Sequence, residues 1–440
     1  MAVQAFGAAL QADPKSLNAS NALWQALIEH SGDRLELPDR AYRWPEGASL
    51  VEVSPNEPVA LIVKQGKPSA FSWFGALYLY QYESGTETPV PGDKIFTGFS
   101  GDGRYLLTAW LVLIPGAKPD KFGFLAQEMK SGLLHVDRGA TREAPALPAG
   151  WKTQGRPLWH GCNLLMTDTT GAVRWWNADK ADWAGAAINV PGLQNLFELD
   201  RNGRYLLWGD KDNTLHIHDL LQQKEIPTGV KYYSGRCRLS GNGRVLVVPE
   251  LNQNRTLPAA ALTDAFTLWT LPSAGFDAPE PVQITASGGF LLELDRQGRM
   301  FLRQRQPEVL FRWHKNSSYS QFQLPWRFHP ERDELYFQSA RSLCVYTLPT
   351  MPHFQLPNLP KPPAKPPGPA IESFLKLAYT PDEKQSEVEL CVERDRLHAQ
   401  LLEDEGKSED QRRFRDLPED WRKLLKWWTT KPGQRQPWPQ

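Results

Sequence analysis

The stretch Phe197 to Leu220 constrains the fold of this chain more than any other. A short apolar run ends in Asp200-Arg201-Asn202-Gly203, a tight-turn signal with Gly where positive φ is needed. A second run, Tyr205 to Trp208, follows. Then come a polar turn, Asp210 to Asn213, and an alternating strand, Leu215-His216-Ile217-His218. Three short strands joined by tight turns make most of one small antiparallel sheet. The turn recurs in near copies: Gly101-Asp-Gly-Arg-Tyr-Leu-Leu, Arg201-Asn-Gly-Arg-Tyr-Leu-Leu and Gly241-Asn-Gly-Arg-Val-Leu-Val. Glu331-Arg-Asp-Glu-Leu-Tyr-Phe takes the same part with charges in place of Gly. Asp295-Arg-Gln-Gly-Arg-Met-Phe is similar but falls one turn later, before the third strand.

The alternating strand recurs too. The equivalents are Leu77–Tyr80, Phe122–Leu125, Val173–Asn177, Leu215–His218, Phe266–Trp269, Met300–Arg303 and Leu343–Tyr346. Aligned on Tyr80, Leu125, Trp176, His218, Trp269, Arg303 and Tyr346, they lie 45, 51, 42, 51, 34 and 43 residues apart. A period of about 40–45 residues matches one four-stranded propeller blade. The expected fold is therefore all-β, a β-propeller of about seven four-stranded blades over residues 47–356. From about 48 to 350 the chain resembles the WD-repeat and related β-propellers, with Trp176-Asn177 and His218-Asp219 in the slot where that family carries Trp-Asp. No Gly-His dipeptide precedes the blades, and most lack the Trp-Asp pair, so the resemblance is one of architecture. It implies a central channel, short protected blade edges, and faces that serve as docking surfaces.

The flanks differ in character. Residues 1–46 read as a lead-in with a short amphipathic helix at Asn18 to Ile28, followed by strand-like Leu35 to Leu37, which could pair the last open blade edge. Residues 351–370 hold eight prolines; His353 to Leu356 can supply an outer strand, and 357–370 reads as a semi-rigid linker. Residues 371–440 read as a helical extension. In Glu387 to Glu403, Leu390, Arg394, Leu397 and Leu401 share one face, apolar but for one charge. Asp416-Leu-Pro-Glu419 looks like a helix start, after which Trp421, Leu424, Leu425 and Trp428 form an apolar stripe with Trp427 beside it.

Composition narrows the function classes. Fifty Lys plus Arg balance 50 Asp plus Glu, which argues against a protein that grips nucleic acid through its overall field. No apolar segment approaches the roughly 20 residues of a membrane-spanning helix, and the first residues lack a signal-peptide pattern. The four cysteines, Cys162, Cys237, Cys344 and Cys391, are too far apart for a Cys-x-x-Cys pair and read as reduced structural thiols of a cytoplasmic protein.

No nucleophile elbow, phosphate loop or zinc-protease motif is present, and no catalytic, cofactor-binding or metal-binding residue is assigned. His216 and His218 share one face of a strand, yet spacing offers no third metal ligand, so His218 reads as core packing. Asp102, Asp200, Asp210, Asp212 and Asp295 read as turn formers. His160 beside Trp159, and His314 beside Trp313, are binding-surface candidates. Arg303, Arg305, Arg312, His314 and Lys315 form a basic cluster with Trp313 and Trp326. The partner-binding candidates are Trp421, Leu424, Leu425, Trp428, Arg312, Trp313 and His314. The leading functional reading is a non-enzymatic scaffold that holds protein partners without a cofactor. A second is a specificity component of a bacterial conflict or defence module, such as a toxin inhibitor or the propeller member of a MoxR–von Willebrand A ternary system. A third, a propeller hydrolase or lyase, needs acids, His or a metal converging on the channel.

Overall fold

In the computed structural model the described residues are 38–64, 75–91, 96–113, 127–151, 157–168, 172–231, 237–249, 267–271, 280–294, 300–305, 309–313, 326–339, 341–348, 386–415, 419–431 and 434. Their strands form seven sheets, six of four strands and one of three. The expectation was about seven four-stranded blades, so the departure is small. The chain divides into two compact units. The smaller comprises Met1–Glu46, Gly298–Ser318 and Asp333–Gln440; the larger comprises Gly47–Gln297 and Tyr319–Arg332.

The larger unit holds five whole sheets. Sheet one is β2 (Ala48–Val53), β3 (Val59–Lys64), β4 (Ala76–Gln81) and β5 (Thr86–Pro89). Sheet two is β6 (Phe96–Phe99), β7 (Tyr105–Leu113), β8 (Gln127–Asp137) and β9 (Ala140–Glu143). Sheet three is β10 (Leu158–His160), β11 (Asn163–Thr167), β12 (Ala172–Asn177) and β13 (Asp182–Asn189), and sheet four is β14 (Asn195–Leu199), β15 (Tyr205–Gly209), β16 (Thr214–Asp219) and β17 (Lys224–Lys231). All four are antiparallel meanders. Sheet five is β18 (Arg238–Leu239), β19 (Val245–Pro249) and β20 (Thr267–Leu271), and here β20 runs parallel to β19, unlike β4, β8, β12 and β16 with their second strands. The unit adds the hairpin β21 (Glu280–Ile284) and β22 (Phe290–Leu294), and the strand β25 (Trp326–Phe328).

The second strands are mostly apolar because both faces are covered. Leu206 and Trp208 of β15 pack with Leu158, Leu165 and Val173 of sheet three, while Leu207 between them packs with Leu239, Leu246 and Val248 of sheet five. Alternate residues of one strand therefore feed two different cores. Sheets one and two share a core of Leu61, Leu79, Phe99 and Leu106, and sheets two and three one of Leu107, Leu133, Leu164 and Trp176. The first strands of successive sheets touch: β2 with β6, β10 with β14, β14 with β18, β18 with β21, β21 with β25, and β25 with β2. Gly98 of β6 completes the circuit, since a Cβ there would lie 2.7 Å from Pro157, just before β10. The inner ring is thus closed within the larger unit.

In the smaller unit, β23 (Met300–Gln304) pairs with β24 (Val309–Trp313), and β26 (Glu334–Gln338) pairs with β27 (Ser342–Thr347). Its edge strand is β1 (Arg40–Arg43), which runs antiparallel to β27 from Arg40 opposite Val345 to Arg43 opposite Ser342. The chain's N-terminal part does supply an outer strand, but at Arg40–Arg43, inside the expected lead-in; Leu35 to Leu37 lies outside the described residues. So do the helix at Asn18 to Ile28, the strand at His353 to Leu356, and the linker 357–370. Phe122–Leu125 is also outside them, and the third strand of its sheet is β8.

Helix α1 (Glu387–Glu405) opens on a capping box, with Ser386 Oγ accepting from Glu389 N–H and the Glu389 carboxylate accepting from Ser386 N–H. It packs on β1 and β27 and buries Leu390, Arg394, Leu397 and Leu401, the face expected from spacing. Helix α2 (Glu419–Thr429) packs on α1; the expected cap at Asp416 lies outside the described residues. One correction falls on the basic cluster. Arg303 is buried on β23, and Trp326 is buried on β25, so neither is part of an exposed stacking surface.

Candidate functional site: the mouth of the ring

The turns between first and second strands gather at one end of the larger unit, and all but the short β10–β11 turn, which opens on the exposed His160, are built alike. A buried polar residue begins each of these six and accepts a backbone N–H further along the turn. Ser100 Oγ accepts from Tyr105 N–H at 2.9 Å, Asp200 Oδ1 from Arg204 and Tyr205 N–H at 2.7 and 2.6 Å, and Ser240 Oγ from Val245 N–H at 2.9 Å. Thr285 Oγ1 accepts from Phe290 N–H at 3.1 Å, and His329 Nδ1 from Glu331 N–H at 3.1 Å. Gly103, Gly203 and Gly243 occupy φ of +70°, +68° and +68°, the left-handed region the repeated motif implied. In the β21–β22 hairpin the equivalent turn is Thr285-Ala286-Ser287-Gly288, earlier in the chain than the Asp295 turn that resembles the motif in sequence.

Neighbouring turns are tied together. Asn56 Nδ2 donates to Asp102 O at 2.7 Å, His160 Nδ1 bonds Arg201 O at 2.9 Å, and Arg201 N–H donates to Gly241 O at 2.7 Å. Asn242 N–H donates to Ala286 O at 2.9 Å, and its side chain reaches Ser287 O at the same distance. A Cβ on Gly241 would lie 3.0 Å from Ala286 Cα, so the first glycine of this motif serves close approach to the next turn.

Below the turns, three first strands carry a bulge just before a polar residue. The registers shift at Glu52, Glu198 and Gln283. Each side chain reaches the next first strand and accepts a backbone N–H: Glu52 from Phe99 at 3.0 Å, Glu198 from Leu239, and Gln283 from Phe328 at 3.0 Å. Arg327 Nε donates to Val51 O, joining the last first strand to the first. The bulge turns a side chain sideways along the ring.

Turns and first strands together enclose a cavity of about 720 Å³. Its lining includes Glu52, Trp159, His160, Glu198, Arg201, Gln283, Arg327 and Glu331. Arg201 and Glu331 come from turns on opposite sides and form an ion pair across the opening. His160 is exposed at the mouth and Trp159 half-buried there, both at the end of β10.

The remaining candidates fare differently. Trp176-Asn177 and His218-Asp219 both end a third strand. Asn177 Oδ1 accepts from Lys180 N–H at 2.8 Å, and Asp219 Oδ1 accepts from Leu221 and Gln222 N–H at 3.0 Å. Burial raises the Asp219 carboxyl, but the Arg204 guanidinium and these N–H groups outweigh it and hold it below the usual carboxylate range. The Asp179 carboxylate accepts from Tyr105 OH and Arg104, each at 2.7 Å, and burial with this bond pushes the Tyr105 phenol up to about 12. His216 stacks on Trp208 at 4.3 Å and lies between Asp210 and Glu225, whereas His218 is buried in the sheet. Among the described residues no group of three His, Cys, Asp or Glu could hold a metal. Leu425 of α2 is buried; the side chains of Trp421, Leu424, Trp428, Arg312 and Trp313, and all of His314, lie outside the described residues.

Sequence reasoning missed the mouth itself. The signal was present at the residue after each buried turn starter, which reads Pro55, Gly101, Arg201, Gly241, Ala286 and Pro330. Arg201 alone there has a long side chain.

No protein-family model and no curated protein matches the chain. Among solved structures it is similar to the β-propeller domain of Cps50 (Swd1) from Myceliophteria thermophila, at 15% identity, covering 71% of this chain and 100% of that one with a TM-score of 0.41. It is also similar to a chain of the mitotic checkpoint complex, at 10% identity, covering 72% and 93% with a TM-score of 0.43. Strand order and the repeated turn, rather than these distant likenesses, make the fold a β-propeller.

Proposed function

We propose that this protein is a non-enzymatic scaffold that holds a protein partner at the mouth of its ring. One observation carries the reading: a concave site of about 720 Å³, lined from all seven first strands and their turns, with the turns fixed to one another by hydrogen bonds. Loops held by a rigid sheet scaffold are suited to recognition, and the lining mixes aromatic, charged and amide groups as docking surfaces do. The four cysteines are free thiols, three of them buried, which supports a reducing, cytoplasmic setting.

The test uses the full chain immobilised beside two variants, with recovered proteins quantified. Asn202→Trp places a large side chain on a mouth turn. Leu221→Asp alters an exposed side chain at the β16–β17 turn and leaves the mouth intact. A partner recovered in fixed ratio by the wild type and by Leu221→Asp, but lost from Asn202→Trp, is the expected result. Equal recovery from all three would rule the mouth out.

A further inference from the structure

Among the six mouth turns that open on a buried polar residue, Arg201 and Glu331 are the two departures from the repeat. After the buried turn starter, the other turns carry Pro55, Gly101, Gly241, Ala286 and Pro330, none able to reach into the opening. Sheet four carries Arg201. At the next position the turns carry Asn56, Asp102, Asn202, Asn242 and Ser287, all short turn formers; the turn after β25 carries Glu331. The two departures meet. Arg201 Nη2 pairs with the Glu331 carboxylate, and Nη1 lies 3.5 Å from Glu331 O. Going round the ring of first strands, β18 and β21 separate them on one side and β2, β6 and β10 on the other, so the pair spans the opening.

Both residues are anchored by their backbones. Arg201 N–H donates to Gly241 O at 2.7 Å and its carbonyl accepts from His160 at 2.9 Å; Glu331 N–H donates to His329 Nδ1 at 3.1 Å. The other charges of the lining are turned to the wall. Glu52 and Glu198 accept from backbone N–H groups, Asp102 is bound by Arg104, and Arg327 donates to Val51 O. The Arg201 and Glu331 side chains are 49% and 24% exposed, and so solvated an ion pair adds little to folding. Position in the mouth, more than stability, accounts for it.

We propose that the mouth docks a polypeptide segment presenting one acidic and one basic side chain, which take over Arg201 and Glu331 from each other. This rests on the reading of the mouth as the partner site and names the partner's chemistry. A segment that separated the pair without offering opposite charges would leave two charges desolvated and unpaired, which strongly disfavours binding. A segment that offers both exchanges one ion pair for two.

The experiment selects random displayed dodecapeptides on the full-length chain. Synthetic versions of the enriched peptides are then titrated calorimetrically into wild type, R201A/E331A, R201E/E331R and Asn202→Trp. The expected winners carry one acid and one base, lose about tenfold or more in affinity on R201A/E331A, and bind R201E/E331R once their acid and base are exchanged. That recovery shows the charge variants to be folded. Winners that are lost on Asn202→Trp but bind R201A/E331A as tightly as wild type would overturn the proposal and leave the mouth standing as a site. Winners indifferent to Asn202→Trp, or no enrichment at all, would overturn the mouth reading and the proposal together.

Discussion

At the scale of single residues the ring is held by side chains that satisfy backbone groups of a neighbouring strand. Glu198 accepts from Leu239 N–H much as Gln283 accepts from Phe328 N–H. Glu198→Ala therefore leaves a buried N–H unpaired and is expected to cost about 1–3 kcal/mol, whereas Glu198→Gln keeps an acceptor and should cost much less. Chemical denaturation of the two variants checks the difference. Arg201→Ala is expected to change stability by less than about 1 kcal/mol, because its partner is reached through solvent-exposed atoms. His218 gives a pH dependence. Burial holds its imidazole below the ordinary 6.5, against the pull of Glu225 and Asp219. The unfolded chain takes up this proton at a higher pH than the folded one does. The stabilisation is therefore complete above the unfolded value and is lost as pH falls below it through the folded value. The denaturation midpoint should drop between about pH 7 and pH 5, and His218→Leu should flatten that slope. An unchanged slope in the variant would remove His218 from the account.

At the scale of elements, the smaller unit depends on a contact between the two ends of the chain. Among the described residues, the four residues of β1 pair with β27 alone, and helix α1 covers them. Arg394, 2% exposed, donates to Pro38 O and to Asp39 O, and Asp39 in turn accepts from Thr347 N–H at 2.7 Å. A covered edge is protected from pairing with other chains. Arg394→Ala removes the charged donor from two buried carbonyls and is expected to destabilise by about 3 kcal/mol, read as faster amide exchange of Arg40–Arg43. Exchange in β1 at the wild-type rate would contradict this. Elements formed by local chemistry were legible in the sequence. Gly103, Gly203 and Gly243 announce their turns because only a residue free to take positive φ fits there, and Leu390, Leu397 and Leu401 announce the face of α1 by spacing. β1 was not legible at its true position, since Arg-Ala-Tyr-Arg has no apolar alternation and its partner lies some three hundred residues away. The parallel run of β20 left no mark either, for Thr267–Leu271 reads the same in both directions of pairing.

At the scale of the whole molecule, function follows from what repetition leaves over. Repeated turns build an end surface whose lining is mostly tied to itself, and Arg201 and Glu331 interrupt the repeat where they face one another. Each looks ordinary in sequence, one an arginine in a turn and the other a glutamate among charges. Their relation is visible only once 130 residues of intervening chain are folded. The sequence-level candidates at the terminal helix belong to another part of the molecule, and Leu425 there is buried. Hydrogen–deuterium exchange of the full chain with and without its co-purified partner separates the two locations directly. The account predicts protection in the mouth turns, at Ser54–Glu57, Ser100–Arg104, Asp200–Arg204 and Ser240–Arg244. Protection confined to Glu419–Thr429, with those turns unchanged, would contradict it.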